Sequence, residues 1–123
     1  MQRQKRLDTR SLRRVVYGHL YKLQQDVWAK GKSLSQPCCR LASGYLREYL
    51  EEEGLEVTTK TSKMHEYLEV AGLIVDPTIQ QFFIENMPPI FIGDRKELEI
   101  LFESSNRWLP LSVNQIYLGS TFG

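Results

Sequence analysis

The sequence predicts a single α+β domain, with helices first and a small antiparallel sheet after them. Three observations carry this. Apolar residues recur at helical spacing through the N-terminal part, alternation rich in β-branched residues takes over from Leu55, and Ala71-Gly72 separates two such runs as a two-residue turn. With 123 residues, 41% of them hydrophobic, the chain suits one compact core spanning residues 1–123.

The elements follow in order. Between residues 8 and 30, Leu12, Val16, Leu20, Leu23 and Val27 take steps of three and four, with Asp8 or Thr9 as N-cap, so one amphipathic helix is expected there. His19 lies beside that apolar stripe and reads as a hydrogen-bonded structural histidine. Residues 31–37 have the small, polar composition of a loop, and a second helix is expected from Pro37 to about Glu53, stopped by Gly54. Arg40, Arg47, Glu48 and Glu51 form its polar face, and Leu41, Ala42, Tyr45, Leu46, Tyr49 and Leu50 occupy the rest, which places it deep in the domain. Strands are expected over residues 55–59, 65–70 and 73–75, the last two as a hairpin. Farther on, residues 90–92 read as a strand, 95–103 as a helix and 115–118 as a last strand. Phe82, Phe83, Met87, Pro88, Pro89, Ile90 and Phe91 concentrate apolar surface that either closes the core around the hairpin or lines a groove for a protein partner.

Charge and cysteine usage exclude several classes. The 16 Lys+Arg residues nearly balance the 15 Asp+Glu, so no global basic field gathers nucleic acid or anionic membrane. Arg3, Lys5, Arg6, Arg10, Arg13 and Arg14 form a local exception, read as a solvated tail and helix start. No apolar run approaches the roughly 18 residues of a membrane span, and the N-terminus lacks the apolar core of a signal peptide. A soluble protein is expected, cytoplasmic or delivered into a target cell. Cys38 and Cys39 are adjacent and cannot staple distant segments, a vicinal disulfide between them would be strained, and a zinc site would have to recruit His19 and His65 without paired spacing.

The chemistry gathers around those cysteines. Both fall in the first turn of the second helix, where unpaired N–H groups and the helix dipole favour a thiolate. Cys39, Ser43, Leu46 and Leu50 share one ridge, whereas Cys38 lies about 100° away. His65 opens the alternating strand with Tyr67 and Glu69 on its face. A two-residue turn between Val70 and Leu73 sets His65 opposite Thr78 and makes Asp76 its diagonal same-face neighbour, about 7–8 Å away between α-carbons.

Read as a string, Cys39-x-x-x-Ser43-x-x-Leu46-x-x-x-Leu50-x-x-x-Gly54 resembles the nucleophile helix of the papain-like and transglutaminase-like cysteine superfamily. Gly72-Leu73-Ile74-Val75-Asp76-Pro77-Thr78, followed by Gln81-Phe82, is similar to the acid-bearing strand end of the same superfamily, and Cys, His and Asp occur in its chain order. The resemblance covers roughly residues 35–82 and implies a minimal papain-like domain, closest in character to papain-fold toxins and bacterial protein-glutamine deamidase effectors. It implies Cys39 as nucleophile, His65 as base and Asp76 as the group orienting the base. Gln36, three residues before the nucleophile, is the candidate side-chain donor to an oxyanion. The implied reaction is amide acyl transfer through a thioester, with protein-glutamine deamidation favoured over peptide cleavage or transglutamination. No metal and no organic cofactor are implied. The expected partners are a host or competitor protein as substrate and, if the domain belongs to a larger toxin, an immunity protein. The alternative class is a papain-like binding module in which Cys39 stays a neutral thiol.

Overall fold

The computed structural model describes residues 7–108 and 111–117. The basic cluster Arg3, Lys5 and Arg6, and Leu118 at the end of the expected last strand, lie outside the described residues. Helices and a sheet are both present. Three helices come first: α1 (Thr9–Gly18), α2 (Leu20–Trp28) and α3 (Cys39–Glu52). Strands β1 (Val57–Thr61), β2 (Glu66–Val70) and β3 (Leu73–Asp76) follow, then a 3₁₀ turn at Ile79–Phe82, β4 (Phe91–Gly93), α4 (Arg95–Ser104) and the short α5 (Val113–Ile116).

Asp8 caps α1, its carboxylate accepting from the Ser11 N–H at 2.7 Å. The expected single helix over 8–30 is instead two. The chain breaks at Gly18-His19, where the His19 N–H turns back to the Val16 carbonyl at 3.0 Å. Glycine is a poor helix former, and the apolar stripe survives the break: Leu12, Val16, Leu23 and Val27 are all fully buried, so periodicity alone did not reveal it. The second helix begins at Cys39 rather than Pro37, because residues 33–36 close a turn of their own. There Ser33 N–H donates to Gln36 Oε1 at 2.9 Å and Gln36 N–H to the Ser33 carbonyl at 3.0 Å. Beyond the helix, Gly54 takes φ +84°, a left-handed stop open to glycine.

The four strands form one antiparallel sheet in the order β1-β2-β3-β4. Val70 pairs with Leu73 and Leu68 with Val75, the register expected from the two-residue turn. Alternation gives the sheet two faces. Leu68, Val70, Val75 and Ile92 turn toward α1, α2 and α3, joining Leu12, Leu23, Ala42, Leu46 and Leu50 in one core. Tyr67 and Ile74 turn the other way and meet Phe82, Leu98, Phe102 and Tyr117 in a second. The apolar residues after Asp76 divide accordingly: Phe82, Phe83 and Ile90 are buried, while Met87, Pro88 and Phe91 line a groove of about 550 Å³ with Tyr17, Ile100 and Leu101.

The last expected strand is also corrected. Residues 113–116 form a helical turn closed by a reciprocal capping box, in which Ser112 Oγ accepts from the Gln115 N–H and the Gln115 side chain accepts from the Ser112 N–H. No described helix is long and apolar enough to cross a membrane.

Candidate active site

Two adjacent thiols enter α3 with opposite surroundings. Cys38 is the N-cap residue, buried, with its thiol donating to the Ser33 carbonyl at 3.3 Å. Burial pushes its pKa up, the charge of Cys39 adds to that, and Lys32 only partly opposes them. Cys39, half-buried, is the first helical residue. Its thiol pKa is lowered: the His65 ring contributes most, burial works against it, and the Glu66 backbone N–H and the His65 charge add to the lowering. One turn along the same ridge, the buried Ser43 hydroxyl donates to the Glu66 carbonyl at 3.3 Å. That bond ties the cysteine-bearing helix to the start of β2, next to His65.

His65 precedes β2 and is buried. Its backbone is fixed by Ser62, whose N–H donates to the His65 carbonyl at 2.8 Å and whose hydroxyl accepts the His65 N–H at 3.1 Å. Three aromatic rings hold the imidazole: Tyr67 stacked at 5.8 Å, with Phe82 at 4.9 Å and Tyr117 at 5.2 Å edge-on. Nε2 lies 2.7 Å from Asp76 Oδ2. Nδ1 is buried and has no hydrogen-bond partner of ordinary geometry among the described residues, so the thiol–imidazole contact is looser than a formed hydrogen bond. Loose contacts of this kind are common between a catalytic pair before substrate binds.

Asp76 ends β3 with no exposed surface, and a buried carboxylate demands partners. It has four. Oδ1 accepts from the Thr78 N–H at 3.0 Å and the Thr78 hydroxyl at 3.3 Å, while Oδ2 accepts from His65 and from the Tyr117 hydroxyl at 2.5 Å. Gln81 Nε2 donates in turn to Thr78 Oγ1 at 2.8 Å. Burial raises the Asp76 pKa, yet the His65 charge and these donors outweigh it and the carboxyl is held below its usual range. For His65, burial favours the neutral ring, but the Asp76 charge and hydrogen bond, aided by Cys39, raise its pKa to about 9. A depressed thiol facing an elevated imidazole favours a thiolate–imidazolium pair near neutral pH.

Cys39, His65 and Asp76 are therefore brought together from α3, the edge of β2 and the end of β3. Gln36 sits in the exposed loop before α3, and its side-chain oxygen is occupied by the Ser33 N–H. That loop also lines a groove of about 320 Å³, through Ser33 and Ser35, together with Trp28, Gln80 and Pro89. His19 is structural, bonded to Glu53 and resting 5.5 Å from the Tyr49 ring. Among the described residues, no group of three His, Cys, Asp or Glu side chains is placed to hold a metal ion.

Ser62 and Tyr117 belong to the site without having been singled out in the sequence. For Ser62 a signal exists, a hydroxyl residue at the bend three residues before His65. For Tyr117 none does, since its contact with Asp76 spans 41 residues. No protein-family model, curated protein or solved structure matches the chain.

Proposed function

We propose that the protein is a papain-like cysteine hydrolase that transfers an acyl group from an amide to Cys39, with protein glutamine side chains as the favoured substrate. The single observation that carries this reading is the line from Asp76 through His65 to the half-buried Cys39, with Nε2 taken by the carboxylate at 2.7 Å, Nδ1 buried and unpartnered among the described residues, and the His65 ring the strongest influence on the Cys39 thiol.

His65 Nδ1 takes the thiol proton, and the thiolate attacks the amide carbon, forming the S–C bond. The developing oxyanion is met by N–H groups of the first turn of α3, which lack intrahelical acceptors. Collapse breaks the C–N bond, the nitrogen leaves as ammonia with the proton from Nδ1, and a thioester remains on Cys39. Water then attacks the thioester while His65 accepts its proton. The S–C bond breaks, glutamate is released and the thiolate–imidazolium pair is restored. A thiol that is only half exposed is reached more readily by a slender carboxamide side chain than by a main chain carrying residues on both sides. That accessibility favours deamidation over peptide cleavage.

The reading is tested by iodoacetamide alkylation across pH, mapped by mass spectrometry, in the wild type and His65→Ala. Labelling of Cys39 well below pH 8, lost in His65→Ala, is the expected result. Slow labelling of both cysteines near pH 8.5, indifferent to His65, would instead indicate a binding module with an ordinary thiol.

A further inference from the structure

The least expected group at the site is a phenol. Tyr117 comes from the far end of the described chain, is fully buried, and places its hydroxyl 2.5 Å from Asp76 Oδ2, the same oxygen that His65 Nε2 approaches at 2.7 Å. Packing alone would not require this. The Tyr117 ring already rests edge-on against His65 at 5.2 Å and Tyr67 at 4.7 Å, and a phenylalanine would keep those contacts. Nor does Asp76 need the bond to escape an unsatisfied burial, since Thr78 and His65 supply three donors without it.

The segment carrying the phenol is wired to the histidine at a second point. Ser62 Oγ donates to the Ile116 carbonyl and accepts the His65 N–H, so one hydroxyl fixes both the residue before Tyr117 and the backbone of His65. The Tyr67 hydroxyl adds a bond to the Tyr117 carbonyl at 3.4 Å. The phenol is thus held on Asp76 from two sides of the chain.

We propose that Tyr117 is a positioning residue, whose phenol shares Asp76 Oδ2 with His65 and so limits how firmly the carboxylate holds the imidazolium proton. This rests on the acyl-transfer reading, because there His65 must both take a proton from Cys39 and surrender it to the departing nitrogen. A carboxylate hydrogen-bonded only by the imidazolium is a stronger base toward it, and an imidazolium held too firmly is a poor acid. A second donor on the same oxygen draws charge from it and weakens the first bond. Among the described residues, the titratable groups facing this pair include Cys39 from α3, Tyr67 from β2, and Tyr117 itself. Tyr117 stays protonated throughout the working range, its pKa raised by burial and by the Asp76 charge, so it acts as a fixed donor.

The test is the titration of His65 by nitrogen-15 NMR in the intact chain, which has two histidines, the His65 signal being assigned by its loss in His65→Ala. Tyr117→Phe removes the donor and keeps the ring. Site-specific replacement of Tyr117 by a difluorotyrosine keeps the shape and strengthens the donor. The expected result is an upward move of the His65 midpoint by about half to one pH unit in Tyr117→Phe, and a downward move in the fluorinated protein. Unchanged midpoints in the fluorinated protein, or a downward move in the Phe variant, would overturn the proposal. This readout needs no turnover, so it stands or falls apart from the alkylation experiment above.

Discussion

At the scale of single residues, two neighbouring thiols differ because of what each sulfur touches. The buried Cys38 thiol donates to the Ser33 carbonyl, and Cys39 interacts with an imidazole backed by a carboxylate. The backing pair makes a prediction about stability that is clearest when the thiol is removed. In Cys39→Ala, His65 loses one of the groups that raise its pKa, so the midpoint should fall below about 9, but the Asp76 charge still keeps it above the ordinary 6.5. A folded pKa above the unfolded one means that the contribution is complete below about pH 6.5 and disappears as the pH rises through the folded value. Asp76, held below its ordinary range, acts in the opposite sense and matters only as the solution becomes acidic. The urea midpoint of Cys39→Ala should therefore drop between pH 6 and pH 9.5, by about 1–2 kcal/mol in stability, and this drop should vanish in Cys39→Ala/His65→Ala. A flat profile in the single variant would mean that the pair is not coupled as its geometry indicates. The three residues of this line were legible in the sequence because each lies in a short motif: a helix start, a strand start and an Asp-Pro-Thr turn. Tyr117 was not, because nothing local marks a tyrosine for a carboxylate 41 positions away.

At the scale of elements, the hairpin between β2 and β3 sets the register that brings Asp76 to His65. Its turn places Ala71 at φ +53° and Gly72 at φ +79°, both left-handed. Glycine adopts that region freely, whereas alanine is strained there, and asparagine tolerates it better. Ala71 is exposed, so a larger polar side chain meets no packing cost. Ala71→Asn should accordingly raise stability by about 0.5–1 kcal/mol without altering Cys39 alkylation. An unchanged or lower urea midpoint would show that the turn is not strained at this residue. The hairpin was readable because a two-residue turn and side-chain alternation together fix one register. The break at Gly18-His19 was hidden because the apolar stripe runs through it without a change of phase. The helical turn at Val113–Ile116 reads as part of a strand in the sequence even though Ser112 and Gln115 stand at capping-box spacing, a signal obscured by the apolar run Ile116-Tyr117-Leu118.

At the scale of the whole molecule, the sheet separates two cores that bear differently on the site. The helix-side core holds α3 and positions Cys39 by its ridge. The opposite core holds the rings around His65: Phe102 lies 6.2 Å from Phe82 and 6.1 Å from Tyr117, and both of those rings touch the imidazole. Equivalent damage to the two sides should then have unequal chemical consequences. Leu23→Ala opens a cavity in the helix-side core beneath α2, in a different core from the rings around His65, and should cost about 2–5 kcal/mol while leaving the alkylation rate of folded Cys39 at neutral pH unchanged. Phe102→Ala should cost about 3–5 kcal/mol and also slow that rate, because Phe82 and Tyr117 lose the wall that keeps them against His65. Both variants are compared well below their own unfolding transitions, so that only folded protein is labelled. If neither slows alkylation, the imidazole is held by its bond to Asp76 and by the Ser62 bonds to the His65 backbone, without the aromatic wall. If only Phe102→Ala does so, the aromatic wall is part of what makes Cys39 reactive, and the second core serves the chemistry as well as the fold.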